Sequence, residues 1–160
     1  TPMLEEYMTG IQYLNFICDI YRVPVKTRKA KVDSLIEQFQ MEKSINSLIS
    51  SFSHGMKQKT ALIAAFAHDP KILILDEPFI GLDPESFIIL KNQMNRLRSM
   101  GGAILFSSHI LDVVERVCNK IAVIKDGKLV YEGATEEATR LNNLESFFME
   151  LNHADAISSL

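Results

Sequence analysis

The chain has 160 residues, 47% of them hydrophobic and 23% charged, with a formal net charge of −3. This describes one domain, or part of one, with enough apolar residues for a real core. The acidic balance lacks the basic stripe that a nucleic-acid partner requires, so none is expected. No apolar run approaches the roughly 20 residues of a spanning helix.

The first part reads as helices. Thr9-Gly10-Ile11-Gln12 has the spacing of a capping box, and Ile11, Leu14, Ile17, Cys18 and Tyr21 follow at helical intervals. Pro24 is expected to end that helix. A second helix is expected from about Thr27 to Phe39, with Val32, Leu35, Ile36 and Phe39 on one face. Residues 41–52 are less periodic and rich in Ser and Asn. Ser53 can cap a third helix, almost wholly apolar from Ala61 to Ala67 and so expected to be buried, and His68-Asp69-Pro70 ends it.

Lys71 to Leu75 is a short continuous apolar run, the pattern of a strand buried on both faces. Asp83-Pro84 starts a helix with Asp at the N-cap and Pro in its first turn. Phe87, Leu90, Met94 and Leu97 follow at helical spacing until Gly101-Gly102. Ala103 to Phe106 reads as a second buried strand, and about Ile110 to Cys118 as a short helix. Asp126-Gly127, between Lys120–Lys125 and Lys128–Glu132, is a two-residue hairpin signal. The chain from Thr135 onward looks helical and finishes in a polar tail. Strands alternating with helices predict an α/β fold with a mainly parallel sheet. Cys18 and Cys118 lie far apart, each preceded by an apolar residue and outside any metal-ligand spacing, and read as reduced core thiols.

Three places carry candidate chemistry. The Ile72–Leu75 strand delivers two adjacent carboxylates, Asp76 and Glu77, to its C-terminal end, where open α/β sheets bind ligands. Two acids side by side repel each other unless a cation or a proton-transfer task needs them, and Mg²⁺ on a nucleotide uses one or two carboxylates. By itself the pair fits a helix cap or a surface loop equally well. Phe52-Ser53-His54-Gly55-Met56 opens a helix whose free N–H groups suit an anion, with Lys57 and Lys59 nearby; taken alone it reads more simply as a serine cap. His109 follows a buried strand and can hydrogen-bond a phosphoryl oxygen, although a lone histidine is more often structural.

Order and spacing are what is specific. Ser53-x-Gly55-Met56-Lys57-Gln58-Lys59, a buried helix, His68-Asp69-Pro70, the Ile72–Pro78 segment, Gly81-Leu82-Asp83-Pro84 and a strand ending in Ser107-Ser108-His109 together resemble ABC ATPases over nearly the whole chain. The resemblance implies an incomplete P-loop NTPase (RecA-like) α/β fold. It implies a helical subdomain over 1–52 that docks on a membrane-spanning partner, a catalytic core over 53–133 and a C-terminal helical extension over 134–160. Phe52, Ser53, His54, Gly55 and Met56 match the signature loop, usually Leu-Ser-Gly-Gly-Gln. The departures at His54 and Met56 are similar to a variant of bacterial exporter-type subunits. Asp76 matches the Walker B aspartate that holds Mg²⁺ through water, and Glu77 the glutamate that polarises the attacking water. Gly81, Leu82 and Asp83 match the D-loop, and His109 the switch histidine at the γ-phosphate.

No Gly-x-x-x-x-Gly-Lys-Ser/Thr occurs in the chain. That motif cradles the β and γ phosphates. With Thr1 as first residue, the sequence resembles a segment that begins just after the Q-loop. The resemblance therefore implies little hydrolysis by these residues alone, and a sheet lacking the strand between those near Ser107 and Lys120. It implies ATP and Mg²⁺ as cofactors. It also implies a membrane permease and a second ATPase subunit as partners, at the cytoplasmic face of the cell membrane. The alternatives are a soluble ABC ATPase that serves no transporter, or a degenerate interaction module.

Overall fold

The structure, a computed structural model, describes residues 7–140 and 143–158. The chain divides into two compact units, residues 1–107 and 108–160.

The first unit opens on α1 (Gly10–Ile20). Its cap is reciprocal: Gln12 N–H donates to Thr9 Oγ1 (3.3 Å) and Thr9 N–H donates to Gln12 Oε1 (2.9 Å). Leu14 and Cys18, one turn apart, are fully buried. The helix ends at Ile20, before Arg22 turns to a left-handed φ of 56°. Pro24 therefore does not end α1. It is instead the N-cap residue of α2 (Val25–Gln38), which starts two residues earlier than its apolar spacing indicates. Val32, Leu35, Ile36 and Phe39 are all buried, as their periodicity requires.

The Ser- and Asn-rich stretch after α2 carries core. Met41, Ile45, Ile49 and Phe52 are buried at spacings of four, four and three, around a short 3₁₀ turn at Ile49–Ser51. The stretch is stitched to the start of α1 by Ile11 N–H to Ile45 O (2.8 Å) and Ile49 N–H to Met8 O (2.9 Å). Only glycine permits this approach, since a Cβ on Gly10 would lie 2.8 Å from the Ile45 carbonyl oxygen. Next comes α3 (His54–Ala67), capped by Ser53. Leu62, Ile63, Ala64, Phe66 and Ala67 are buried, and α3 packs on both α1 and α2.

Strand β1 (Ile72–Asp76), helix α4 (Pro84–Ser99) and strand β2 (Ala103–Ser107) make a β-α-β unit. The strands are parallel and pair Ile72 with Ala103 through to Asp76 with Ser107. Asp83 caps α4, accepting from Ser86 N–H at 2.8 Å. Gln93, buried on α4, donates to Gln38 of α2 (2.7 Å).

The expectation of strands buried on both faces is corrected here. Leu73 is buried, and Phe106 packs edge-on against Phe79 at 5.5 Å. On the opposite face Ile72 (71% exposed), Ile74 (73%) and Leu105 (64%) stand open. The helices of this unit cover one face of a two-stranded sheet whose composition suits cover on both.

In the second unit, α5 (Leu111–Val117) leads to β3 (Lys120–Lys125) and β4 (Lys128–Ala134), then α6 (Thr135–Ala138) and α7 (Leu144–Ser158). β3 and β4 are antiparallel. Asp126 (φ 49°) and Gly127 (φ 73°) form the hairpin turn, both left-handed as that turn type demands. Ile121, Ala138 and Leu144 are the core, packed by Leu111, Val114, Cys118, Tyr131 and Phe147. Burial there pushes the Cys118 thiol up to about 11, so it stays protonated at neutral pH. Helix α7 runs on to Ser158 toward the expected polar tail, and residues 159–160 lie outside the described residues. Among the described residues no helix is long and apolar enough to cross a membrane.

Candidate functional site

The parallel register sets Asp76 beside Ser107 at the C-terminal ends of β1 and β2. The Ser107 hydroxyl donates to the Asp76 carboxylate and accepts from Glu77 N–H (3.1 Å). One serine thus fixes both acidic positions: it orients the Asp76 side chain and pins the backbone where the strand becomes a loop. Glu77 sits at φ 45°, a left-handed conformation that costs a non-glycine residue about 1 kcal/mol or more. Asp76 is exposed and Glu77 half-buried. Ser107 carries a role that sequence reasoning missed. A serine ending a strand is commonplace, and only its register with Asp76 marks it.

From Glu77 the chain runs through a turn to Asp83. Pro78 is fully buried, and Phe79 is held by Phe87 (ring centroids 4.8 Å apart) and Phe106. Helix α3 grips this turn from the side. Gln58 Nε2 donates to Pro78 O (3.1 Å), and Lys59 Nζ pairs with Asp83 Oδ2 (2.6 Å). A Cβ on Gly55 would lie 2.7 Å from Gly81 O, and one on Gly81 (φ +76°) would lie 2.6 Å from the His54 ring. The structure therefore joins the 53–56 turn and the 81–83 loop, two segments that the sequence separates by 25 residues.

Ser53 accepts from Met56 N–H (3.3 Å), and Ser53 and His54 are exposed at the start of α3, whereas Phe52 is buried beneath them. Ser53 and the first amides of a 14-residue helix form an anion-favouring end. His109 lies in the second unit, exposed, in the turn ahead of α5, where Ser108 Oγ accepts from Ile110 N–H (3.2 Å). Asp76 and Glu77 are thus brought together in the first unit with Phe52–Met56 and Gly81–Asp83, while His109 is placed by the second.

The Lys59 ammonium beside Asp83, with Ser86 N–H second, holds the Asp83 carboxyl well below the usual carboxylate range. A depressed folded value means that this carboxylate's stabilisation is complete above the unfolded pKa of about 4 and is lost as pH falls toward the folded value. Asp83→Asn keeps the helix cap and removes the charge. Urea unfolding is expected to show the variant less stable at pH 7 by under about 1 kcal/mol, since the pair is half-exposed, with the gap narrowing below about pH 4. A gap that widens in acid would contradict this.

A family model described as ABC transporter matches residues 3–80. The ABC-type transporter ATP-binding protein EcsA of Bacillus subtilis (strain 168) is 32% identical over 98% of this chain and 65% of its own length. The Nod factor export ATP-binding protein I of Rhizobium meliloti is 34% identical over 71% of this chain and 34% of its own. A solved structure of an ATP-binding subunit of an ABC transporter superposes with a TM-score of 0.90 at 31% identity, over 95% of this chain and 65% of that one. The chain belongs to the family of ABC transporter ATP-binding proteins. It spans less than two thirds of these relatives' length. The fold of this ABC ATP-binding chain is that of the P-loop NTPase domains of ABC ATPases, with β1–β2 as its small parallel sheet.

Proposed function

We propose that this ABC chain is part of the ATP-hydrolysing subunit of an exporter-type membrane transporter, coupling ATP binding and hydrolysis to transport. The observation that carries the reading is the edge at which Ser107 orders Asp76 and the Glu77 backbone. Structural acids have no need of such placement at a strand's C-terminal end, where nucleotide phosphates bind. The name of the Nod factor export relative supports the direction of transport.

Each residue then has a task. Asp76 holds Mg²⁺ through water, and Glu77 accepts a proton from the attacking water and orients it. His109 donates to the γ-phosphate. Mg²⁺ on a nucleotide takes one or two carboxylates and completes its shell with water and phosphate oxygens. A single exposed, serine-oriented carboxylate fits that demand, and among the described residues no group of three or more His, Cys, Asp or Glu forms a cage that would hold a metal by itself. When bound, the ion neutralises charge on the phosphate oxygens. Phe52 to Met56 face an ATP held by a second ATPase subunit, with Ser53 and the α3 amides as donors and Gly81 to Asp83 crossing to that partner.

Residues 1–52 form the helical subdomain that docks on a permease at the cytoplasmic membrane face. Residues 53–133 are the catalytic core and 134–160 a C-terminal extension. Positioning dominates phosphoryl transfer, so these 160 residues alone, with no phosphate-cradling loop among them, hydrolyse little ATP. Pull-down from membranes tests the transport reading. Recovery of the full-length protein with a membrane permease is expected, and co-sedimentation with ribosomes instead would overturn it.

Ser107→Ala removes the acceptor for Glu77 N–H and the donor to Asp76 together. It is expected to lower ATP turnover of the full-length protein about tenfold or more, at a stability cost of about 1 kcal/mol. Steady-state phosphate release and urea midpoints check this.

A further inference from the structure

The turn that begins at Glu77 is weakly held by its own backbone. Ile80 N–H reaches Glu77 O at 3.3 Å and Leu82 N–H reaches Phe79 O at 3.4 Å, both long for amide hydrogen bonds. Its shape depends on side chains from α3. His54 and Gln58, one helical turn apart on the same face, meet Gly81 and the Pro78 carbonyl, and Lys59 beside them meets Asp83. The His54 ring fills the space that a side chain at 81 would occupy, and Gly55 lets the Gly81 carbonyl come within contact of the helix.

We propose that His54, Gln58 and Lys59 form an intramolecular strut that sets the turn 77–83, with His54 a positioning residue for Glu77 of its own subunit. This goes beyond the reading of Phe52 to Met56 as a loop toward a partner's ATP, because the His54 ring of that loop lies on Gly81 of its own chain. It rests on the proposed function only where Glu77 is given its catalytic task; the strut itself is a property of the chain's own packing. What His54 contributes is a flat ring on Gly81. Contact at the Ser53 turn is passed through α3 to the backbone that aims Glu77, so an anion arriving at one is felt at the other.

The test uses the full-length protein with His54→Ala and His54→Phe. Without nucleotide, hydrogen–deuterium exchange of the amides of 79–83 is expected to speed severalfold in His54→Ala and to stay near wild type in His54→Phe, which keeps a flat ring over Gly81. With ATP, kcat is expected to fall about tenfold in His54→Ala with little change in KM, and to recover in His54→Phe. Unchanged exchange in His54→Ala would overturn the strut. So would exchange in His54→Phe as fast as in His54→Ala, because the imidazole's polarity rather than its shape would then matter. A raised KM with kcat intact would return His54 to a phosphate-contact role. If Glu77→Gln also leaves turnover intact, the catalytic reading fails while the exchange arm still decides the strut.

Discussion

Glu77→Gln in the full-length protein is expected to lower ATP turnover by about a hundredfold or more while leaving nucleotide affinity nearly unchanged. A positioned general base contributes about 10²–10⁴ to rate, and an amide of the same size cannot accept the proton. The backbone bond from residue 77 to Ser107 survives the substitution, and so does the Asp76 carboxylate beside it. The loss should therefore appear in kcat, with KM and urea midpoint close to wild type. Phosphate release in steady state, with binding of a fluorescent nucleotide, separates the two. Intact turnover would remove Glu77 from the role proposed for it.

Phe39→Ala is expected to cost the full-length protein about 3–5 kcal/mol of stability, read as a lowered urea midpoint. Phe39 follows the last turn of α2 and is fully buried, among the largest such side chains in the chain. Truncation loses the transfer free energy of a ring and leaves a cavity that packed helices close only in part. Phe16 on α1 supplies the control. It is 43% exposed, and Phe16→Ala should shift the midpoint far less. Equal effects would mean that the packing of α1 and α2 on α3 differs from that described.

The readable parts of the fold were those set by local chemistry. Thr9 with Gln12, Ser53, Asp83-Pro84 and Asp126-Gly127 each declare an element boundary, because the groups that satisfy the backbone sit within three residues of it. Met41, Ile45, Ile49 and Phe52 are hard to read as core because the polar residues between them suggest a loop, although they recur at spacings of four, four and three. The apolar run at β1 predicted cover on both faces, since composition reports what a strand suits and not what this chain supplies; Ile72 and Ile74 are open. At the site, Asp76, Glu77, Ser53 and His109 stood out by residue type and order. Ser107 and the His54–Gly81 contact did not, because each depends on register or packing between segments 25 or more residues apart.

Under the role proposed for Glu77, its left-handed backbone sets stability against activity at a single position. Glycine would relax that turn at no steric cost, and asparagine at little, so a screen for thermal resistance alone should favour both. Either replacement discards the carboxylate. If Glu77 has the proposed role, a library of this protein sorted by heat would drift away from function at residue 77, and glutamate recovered there after such sorting would record selection for turnover.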